Sequence, residues 1–212
     1  MIIDFFKDFF FILGGIKYIF FFGILGFFLG LAIAIFLTFC SLYKYSKYLV
    51  KFYISIFRGI PLICQVAAFI YLLPNNLSTN FICLMAIALN TSAYLSEVFR
   101  SFIENFPQEK TEVAVGMGFS SYQITRLIIF PEMIGASVPL FIAEIVSIVK
   151  DVSILGTFGI MEIFNRGRII GSINYNYGRS MMMVGIIYYA ITFCISRLED
   201  MAWINKFKNH RS

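Results

Sequence analysis

The chain has 212 residues, 59% of them hydrophobic and 18% aromatic, with only 14% charged, and its mean hydropathy is +0.83. Soluble domains carry about a quarter charged residues, so this chain needs lipid over part of its surface and reads as an all-α integral membrane protein. The net charge of +5 sits at the ends of apolar segments, as membrane topology requires, so nucleic acid is not an expected partner.

The opening, "MIIDFFKDFFFILGGIKYIFFFG", has no compact basic region and no small-residue cleavage site, so no cleaved leader is expected. A bilayer core takes about 20 mostly apolar residues per helix. The uncharged stretch between Lys17 and Lys44 predicts a first span over Tyr18 to Leu42. Its "FFFGILGFF" run reads as lipid-facing or packing surface, and Gly23, Gly26 and Gly30 let helices approach one another. A second span is predicted over Phe52 to Leu73, with Arg58, Gly59 and Pro61 forming an irregularity near its start. Bends of this kind free backbone groups that need partners. Arg58 has two readings: it snorkels to the cytoplasmic face, or it pairs with an acidic residue.

The polar turn "PNNLSTN" (Pro74 to Asn80) ends that span, and a third follows over Phe81 to Ser101. The fourth is predicted over Pro131 to Val149 and the fifth over Ser180 to Ser196. Lys44, Lys47 and Lys51 place the first loop in the cytoplasm. Five crossings then put the N-terminus outside and the tail with Lys206, Lys208 and Arg211 inside. One loop runs against the rule: Asp151 to Arg179 falls outside yet holds Arg166, Arg168 and Arg179. Within it, "VSILGTFGIM" (Val152 to Met161) is half a span long, which suits either a re-entrant gate packed on protein or a plug over helix ends.

Between the third and fourth spans lies a predicted cytoplasmic elbow, residues 107–130. Pro107 opens a short helix, and Gly118 fits its C-terminal cap, where the left-handed conformation costs glycine nothing. Ser120 and Gln123 have capping-box spacing, and Phe119 and Ile124 the spacing of a hydrophobic staple. That second helix runs to Phe130, and Pro131 starts the next. On these signals the elbow is either a docking surface or a capped connector.

Ionisable residues inside a membrane default to function. Asn90, Tyr94, Glu97 and Ser101 share one helical face, as do Ser137, Glu144 and Asp151. Two such stripes on neighbouring spans can line a water-filled substrate path. Glu97 either meets a substrate ammonium or pairs with Arg100; Glu144 is a second candidate for the path. Lys150 and Asp151 are adjacent, point apart on a helix, and are expected to pair with other helices at an external gate. The four cysteines, Cys40, Cys64, Cys83 and Cys194, lie in apolar runs without metal-ligand spacing, and His210 is the single histidine. No metal, haem or other cofactor is expected.

The segment "EVAVGMG", nine residues, then Ile128, Ile129, Phe130 and Pro131 resembles the EAA loop of ATP-binding-cassette (ABC) importer permeases. That pattern is Glu-Ala-Ala, three residues, Gly, nine residues, Ile, one residue, Leu-Pro. Glu112, Ala114, Gly118, Ile128 and Pro131 fall in register; Val113 stands for the first Ala and Phe130 for the Leu. "IFRGIPLICQ", "LNTSAYLSEVFR" and "VSIVKDVSILGTFGIMEI" resemble the polar amino-acid branch of the family, the histidine, glutamine and arginine permeases. That branch has Lys-Asp-Thr-Ser where this chain has Lys150-Asp151-Val152-Ser153, and Asn where it has Ala143.

The resemblance implies a type I importer permease of a bacterial cytoplasmic membrane, with a coupling helix that docks on a separate ATP-binding subunit. It further implies a second permease copy or paralogue and an extracytoplasmic solute-binding protein. Glu112 would make charged contacts with the ATPase or brace the loop, Ala114 and Gly118 would let the helix seat closely, and Pro131 would fix the return to the membrane. The chain has no G-x-x-x-x-G-K-[ST] stretch and is not expected to hydrolyse ATP itself. A self-sufficient secondary transporter is the alternative; it would need an internal repeat, and none is evident.

Overall fold

A computed structural model describes residues 2–43, 45–74 and 76–209. Lys44, Asn75, His210 and Arg211 lie outside the described residues, as do the side chains of Lys206 and Lys208. Among the described residues the protein is helical throughout. The helices are α1 (Ile2–Leu13), α2 (Ile16–Ser41), α3 (Ser46–Gly59), α4 (Leu62–Leu72), α5 (Thr79–Glu104), α6 (Gln108–Gly116), α7 (Ser121–Ile124), α8 (Phe130–Asp151), α9 (Ile163–Ile173) and α10 (Tyr177–Asn209). A π turn, Thr125–Ile129, joins α7 to α8, and a 3-10 turn, Val152–Phe158, follows α8.

Three stretches are long and apolar enough to cross a membrane: Asp4–Ser41, Thr79–Glu104 and Tyr177–Arg197. The bent pair α3–α4 makes a fourth if it counts as one span. The five spans expected from sequence differ from these stretches in three places. The first begins earlier, because α1 continues into α2 as a stretch of 38 residues. At 1.5 Å per residue that is about 57 Å, longer than a bilayer with its headgroups. The second is broken by 106° between Gly59 and Leu62. The fourth, α8, carries Glu132, Glu144, Lys150 and Asp151 and is not among the helices that qualify by length and apolarity.

The core forms where α2 lies along α5. The buried residues of α2 include Gly26, Gly30 and Ala34, spaced by four along one face, which lets two backbones close up. A Cβ added at Gly26 would sit 2.6 Å from Ile87 Cγ2, and one at Gly30 would sit 2.8 Å from Thr91 Cβ and 3.0 Å from the Ala88 carbonyl oxygen. Gly23 has open space instead and plays no part in this approach. Gly30→Ala should therefore destabilise the protein by about 1–3 kcal/mol through overpacking, while Gly23→Ala should not. Thermal unfolding of the two variants in detergent checks this; equal melting temperatures would refute the close-packing account.

The break between α3 and α4 follows from Pro61, which lacks an N–H and pushes Ile60 to an extended conformation (φ −100°, ψ 127°). The freed carbonyls are met from inside the protein. Gln65 Nε2 donates to the Phe57 and Ile60 carbonyls at 2.9 and 2.7 Å, and Asn90 Nδ2 donates to the Phe57 carbonyl at 3.0 Å. The Tyr53 hydroxyl reaches the Leu89 carbonyl (3.0 Å) and Ser92 Oγ (2.6 Å), stitching α3 to α5.

The 152–176 region is packed structure, not open loop. Val152, Leu155 and Gly156 of the 3-10 turn are buried, which both readings of that apolar stretch require. A Cβ at Gly15 would meet Ile163 N at 2.5 Å, so the α1–α2 junction sits directly on the start of α9. A Cβ at Gly171 would meet Ser180 Oγ and the Tyr177 ring at 2.7 Å, which holds α9 close against α10. Arg166 Nη1 donates to the Phe11 carbonyl at 2.8 Å, and Arg179 pairs with Asp8 at 3.1 Å. Their guanidiniums also lie over the Phe11 and Phe5 rings. Two of the three arginines that break the charge rule are thus engaged in holding α1.

Candidate functional site

The elbow folds from local signals. Pro107 precedes α6, whose end adopts a Schellman arrangement: Phe119 N–H donates to the Ala114 carbonyl (3.1 Å) and Gly118 N–H to the Val115 carbonyl (2.9 Å). Gly118 has φ +84°, the left-handed conformation that this cap requires. Ser120 and Gln123 form the capping box, each side chain taking the other's backbone N–H.

Beyond it the helix widens into the π turn, with Phe130 N–H donating to the Thr125 carbonyl. The physical reason is Pro131, which cannot donate to the carbonyl four residues back and whose ring would collide with it in a regular helix. The predicted regular helix to Phe130 is corrected on this point. Lys110 pairs with Glu132 at 2.6 Å, fixing α6 against the start of α8.

The outer face of α6 presents Glu112, Val113, Val115 and Met117 to solvent. Ala114, in contrast, is 3% exposed. Its small side chain serves the packing of α6 onto its own chain, so it does not line the outward face on which close seating by a partner was expected. Gly118 is exposed, Ile128 is half-buried and Pro131 is exposed at the return into α8. Glu112 makes no ion pair among the described residues.

Several polar groups of the two stripes are already engaged within the chain. Asn90 is engaged with the α3 carbonyl at the break. Glu97 is held by Arg100 (Nε to Oε2, 3.2 Å), which also pairs with Glu104 at 2.7 Å, and Lys47 reaches Glu104 at 3.5 Å. Arg58 and Lys51 are the further cations that act on Glu97; Arg58 itself is exposed and makes no ion pair among the described residues. Tyr94 is half-buried against the core. Ser137 is turned inward, donating to the Met133 carbonyl at 2.8 Å.

Glu144 is 8% exposed, beside the Thr91 hydroxyl of α5, the residue that follows Asn90, and within range of Asp151. Gly59 and Pro61 are exposed at the break. Lys150 is exposed and Asp151 half-buried at the end of α8, and neither makes an ion pair with another helix among the described residues. The expected pairing at an external gate is not made among the described residues.

Two engaged polar groups escaped the sequence reading. Gln65, 5% exposed, is the bracket of the α3–α4 break; its Oε1 is the buried side-chain polar atom without a protein partner among the described residues. Glu162, 0% exposed, caps α9: it accepts from Phe164 N–H (2.6 Å), Asn165 N–H (2.7 Å) and the Tyr188 hydroxyl (2.8 Å). Burial holds its carboxyl above the usual carboxylate range against the opposing pull of those three donors. Glutamate is not a favoured N-cap, so sequence carried no signal for it.

Residues 26–202 match the family described as the binding-protein-dependent transport system inner membrane component. The chain is 30% identical over 201 residues to a putative glutamine transport system permease protein, GlnP, of Rickettsia typhi, covering 92% of each chain. It is also 30% identical over 157 residues to a probable amino-acid permease protein, YxeN, of Bacillus subtilis, covering 71% of this chain and 70% of that one. Its fold is similar to a crystal structure of an amino acid ABC transporter with histidines, with a TM-score of 0.84 at 23% identity over 90% of this chain and 92% of that one. The chain therefore belongs to the binding-protein-dependent transport system inner membrane components, as a multi-pass permease subunit.

Proposed function

We propose that this permease carries a polar amino acid inward and is driven through its elbow by a separate ATP-binding subunit. The observation that carries the reading is the elbow's build: a short helix with an outward face of Glu112, Val113, Val115 and Met117, ended by a left-handed Gly118 and rejoined to α8 through a π turn. Such a surface is fixed at its C-terminal end by the bonds to the Ala114 and Val115 carbonyls and is open to a partner.

Glu112 engages the ATPase, Gly118 sets the angle between α6 and the next helix, and Ile128 and Pro131 transmit its motion into α8. Closure of an ATPase pair would shift these elbows and switch the path from inward- to outward-facing. The amino-acid substrate class is supported by the relatives' names, glutamine and amino-acid permeases. A solute-binding protein delivers the substrate from outside.

Five crossings, counting the broken α3–α4 pair and α8, make too thin a wall for a path, so a second copy of this chain or a paralogue completes it. The N-terminus is external and the C-terminus cytoplasmic in this reading. Arg166 and Arg179 do not oppose it, since tethering α1 accounts for both. Glu97 and Asn90 form the inner end of the path together with the Arg100–Glu104–Lys47 network. Glu144 lies on it beside Thr91, and Lys150 and Asp151 find their partners across the second copy.

Reconstitution in vesicles with the ATPase and the binding protein tests the proposal. Uptake of labelled glutamine or another polar amino acid should require internal ATP and both partners. Uptake driven by an ion gradient, with the ATPase omitted, would overturn it in favour of a secondary transporter.

A further inference from the structure

We propose that Gln65 is a positioning residue of the transport path: it can hold the α3–α4 break by itself, and so leaves Asn90 free to exchange its backbone partner for the substrate. The proposal rests on the reading that Asn90 lies on the path of a polar amino acid. Pro61 sets the problem. In a continuous helix the N–H of residue 61 would meet the Phe57 carbonyl, and proline has none. The Ile60 carbonyl loses its helical donor as well, because Cys64 N–H turns to the Pro61 carbonyl at 3.0 Å. Two side-chain amides answer these carbonyls. Gln65 Nε2 reaches both, at 2.9 Å to Phe57 and 2.7 Å to Ile60, and Asn90 Nδ2 adds a second donor at the Phe57 carbonyl, at 3.0 Å.

The two donors are not equivalent. Gln65 belongs to α4 itself and is 5% exposed, and its orientation is fixed, since only an NH2 group can meet two carbonyls. Its Oε1 is left buried without a partner among the described residues, which marks the two carbonyls as what sets the side chain's place. Asn90 comes from α5 and is half-buried, and its Oδ1 accepts no hydrogen bond among the described residues. When Asn90 turns away, the Phe57 carbonyl still has Gln65, so no buried backbone group is orphaned. Helix α3 also stays on α5, through the Tyr53 hydroxyl at the Leu89 carbonyl (3.0 Å) and Ser92 Oγ (2.6 Å). A released amide suits a zwitterion, its oxygen accepting from an ammonium and its NH2 donating to a carboxylate. Without Gln65 the same turn would leave the Phe57 carbonyl bare, and Asn90 would be tied to it.

The test is a double-mutant cycle on Asn90→Ala and Gln65→Met in the permease assembled with its ATPase. Thermal unfolding is read in detergent, and uptake in vesicles with the binding protein and whichever polar amino acid the unaltered complex carries. Asn90→Ala should melt with the unaltered protein and raise the half-saturating substrate concentration about tenfold, the loss of one hydrogen bond to a charged group. Gln65→Met should lower the melting temperature. It should also raise the half-saturating concentration, although Gln65 touches no substrate, because Asn90 is then held at the Phe57 carbonyl. In the double variant the melting temperature should fall by more than the sum of the single shifts, since that carbonyl has lost its last side-chain donor.

Additive melting shifts, or normal uptake by Gln65→Met, overturn the exchange and leave Asn90 on the path. If Gln65→Met does not assemble, Asn90→Ala decides alone: a melting temperature below that of the unaltered protein overturns the exchange. An unchanged half-saturating concentration in Asn90→Ala takes Asn90 off the path and overturns it too. Failure of the unaltered complex to carry any polar amino acid overturns the transport reading itself.

Discussion

Gly118→Val should leave the permease in the membrane and sever it from its ATPase. An L-residue in the left-handed conformation costs about 1–2 kcal/mol, and a β-branched one fits it worst. No neighbour lies within 4 Å of a Cβ at Gly118, so the penalty is conformational and local. It falls on the Schellman bonds from Phe119 and Gly118 to the Ala114 and Val115 carbonyls. Without them the outward face of α6 loses its fixed angle to the capping box that follows.

The expected result is a fall of about tenfold in ATPase affinity, the equivalent of about 1.4 kcal/mol, and a matching loss of substrate-stimulated hydrolysis. Gly118→Asn should keep most of both, because asparagine visits the left-handed region. The measurement is co-purification of the ATPase together with hydrolysis in proteoliposomes. Normal coupling in Gly118→Val would make the elbow a connector and reopen the question of the energy source.

Glu162→Ala carries the larger structural effect. It removes a carboxylate that meets two α9 amides and the Tyr188 hydroxyl at once, in a place with no water access. Hydrogen bonds to a charged group contribute about 1.5–3 kcal/mol each, and donors left buried without partners add their own desolvation cost. A loss of about 3 kcal/mol is expected. Tyr188→Phe gives up one of the three bonds and should cost about 1 kcal/mol. A double-mutant cycle between the two positions should show coupling, since they share that bond. Thermal unfolding in detergent reads all three variants. If Glu162→Ala melts no lower than Tyr188→Phe, the carboxylate is not what holds α9. Because a Cβ at Gly156 would overlap Glu162 Oε1, the same carboxylate also positions the 3-10 turn that follows α8. A defect there is expected to reach the end of α8, where Lys150 and Asp151 stand.

The elbow was legible in the sequence because its causes are local. Pro107, Gly118, the Ser120–Gln123 pair and Pro131 each act within four residues, and the structure has the cap, the box and the turn where that chemistry puts them. The π turn was not legible, since a proline can be accommodated by a kink, a break or a widened turn. At Pro61 the same residue type gave a 106° break, because Gln65 and Asn90 were at hand to take the freed carbonyls. Those partners are set by packing, and Asn90 lies 33 positions from Phe57.

By itself the sequence determined that this chain lies in a membrane, where most of its apolar segments begin and end, and where the glycine cap and the capping box of the elbow fall. These follow from composition, segment length and short-range capping, which do not depend on the rest of the fold. The tertiary structure alone decided which polar groups are spoken for. Helical periodicity put Asn90 and Glu97 on one face with Tyr94, but only packing engaged Asn90 at the α3–α4 break and held Glu97 in an ion pair with Arg100. Likewise, the arginines that seemed to contradict the charge rule are tied to α1 across more than 150 residues of chain. A buried or membrane-facing polar group must find a partner, and which partner it finds is a property of the assembled helices.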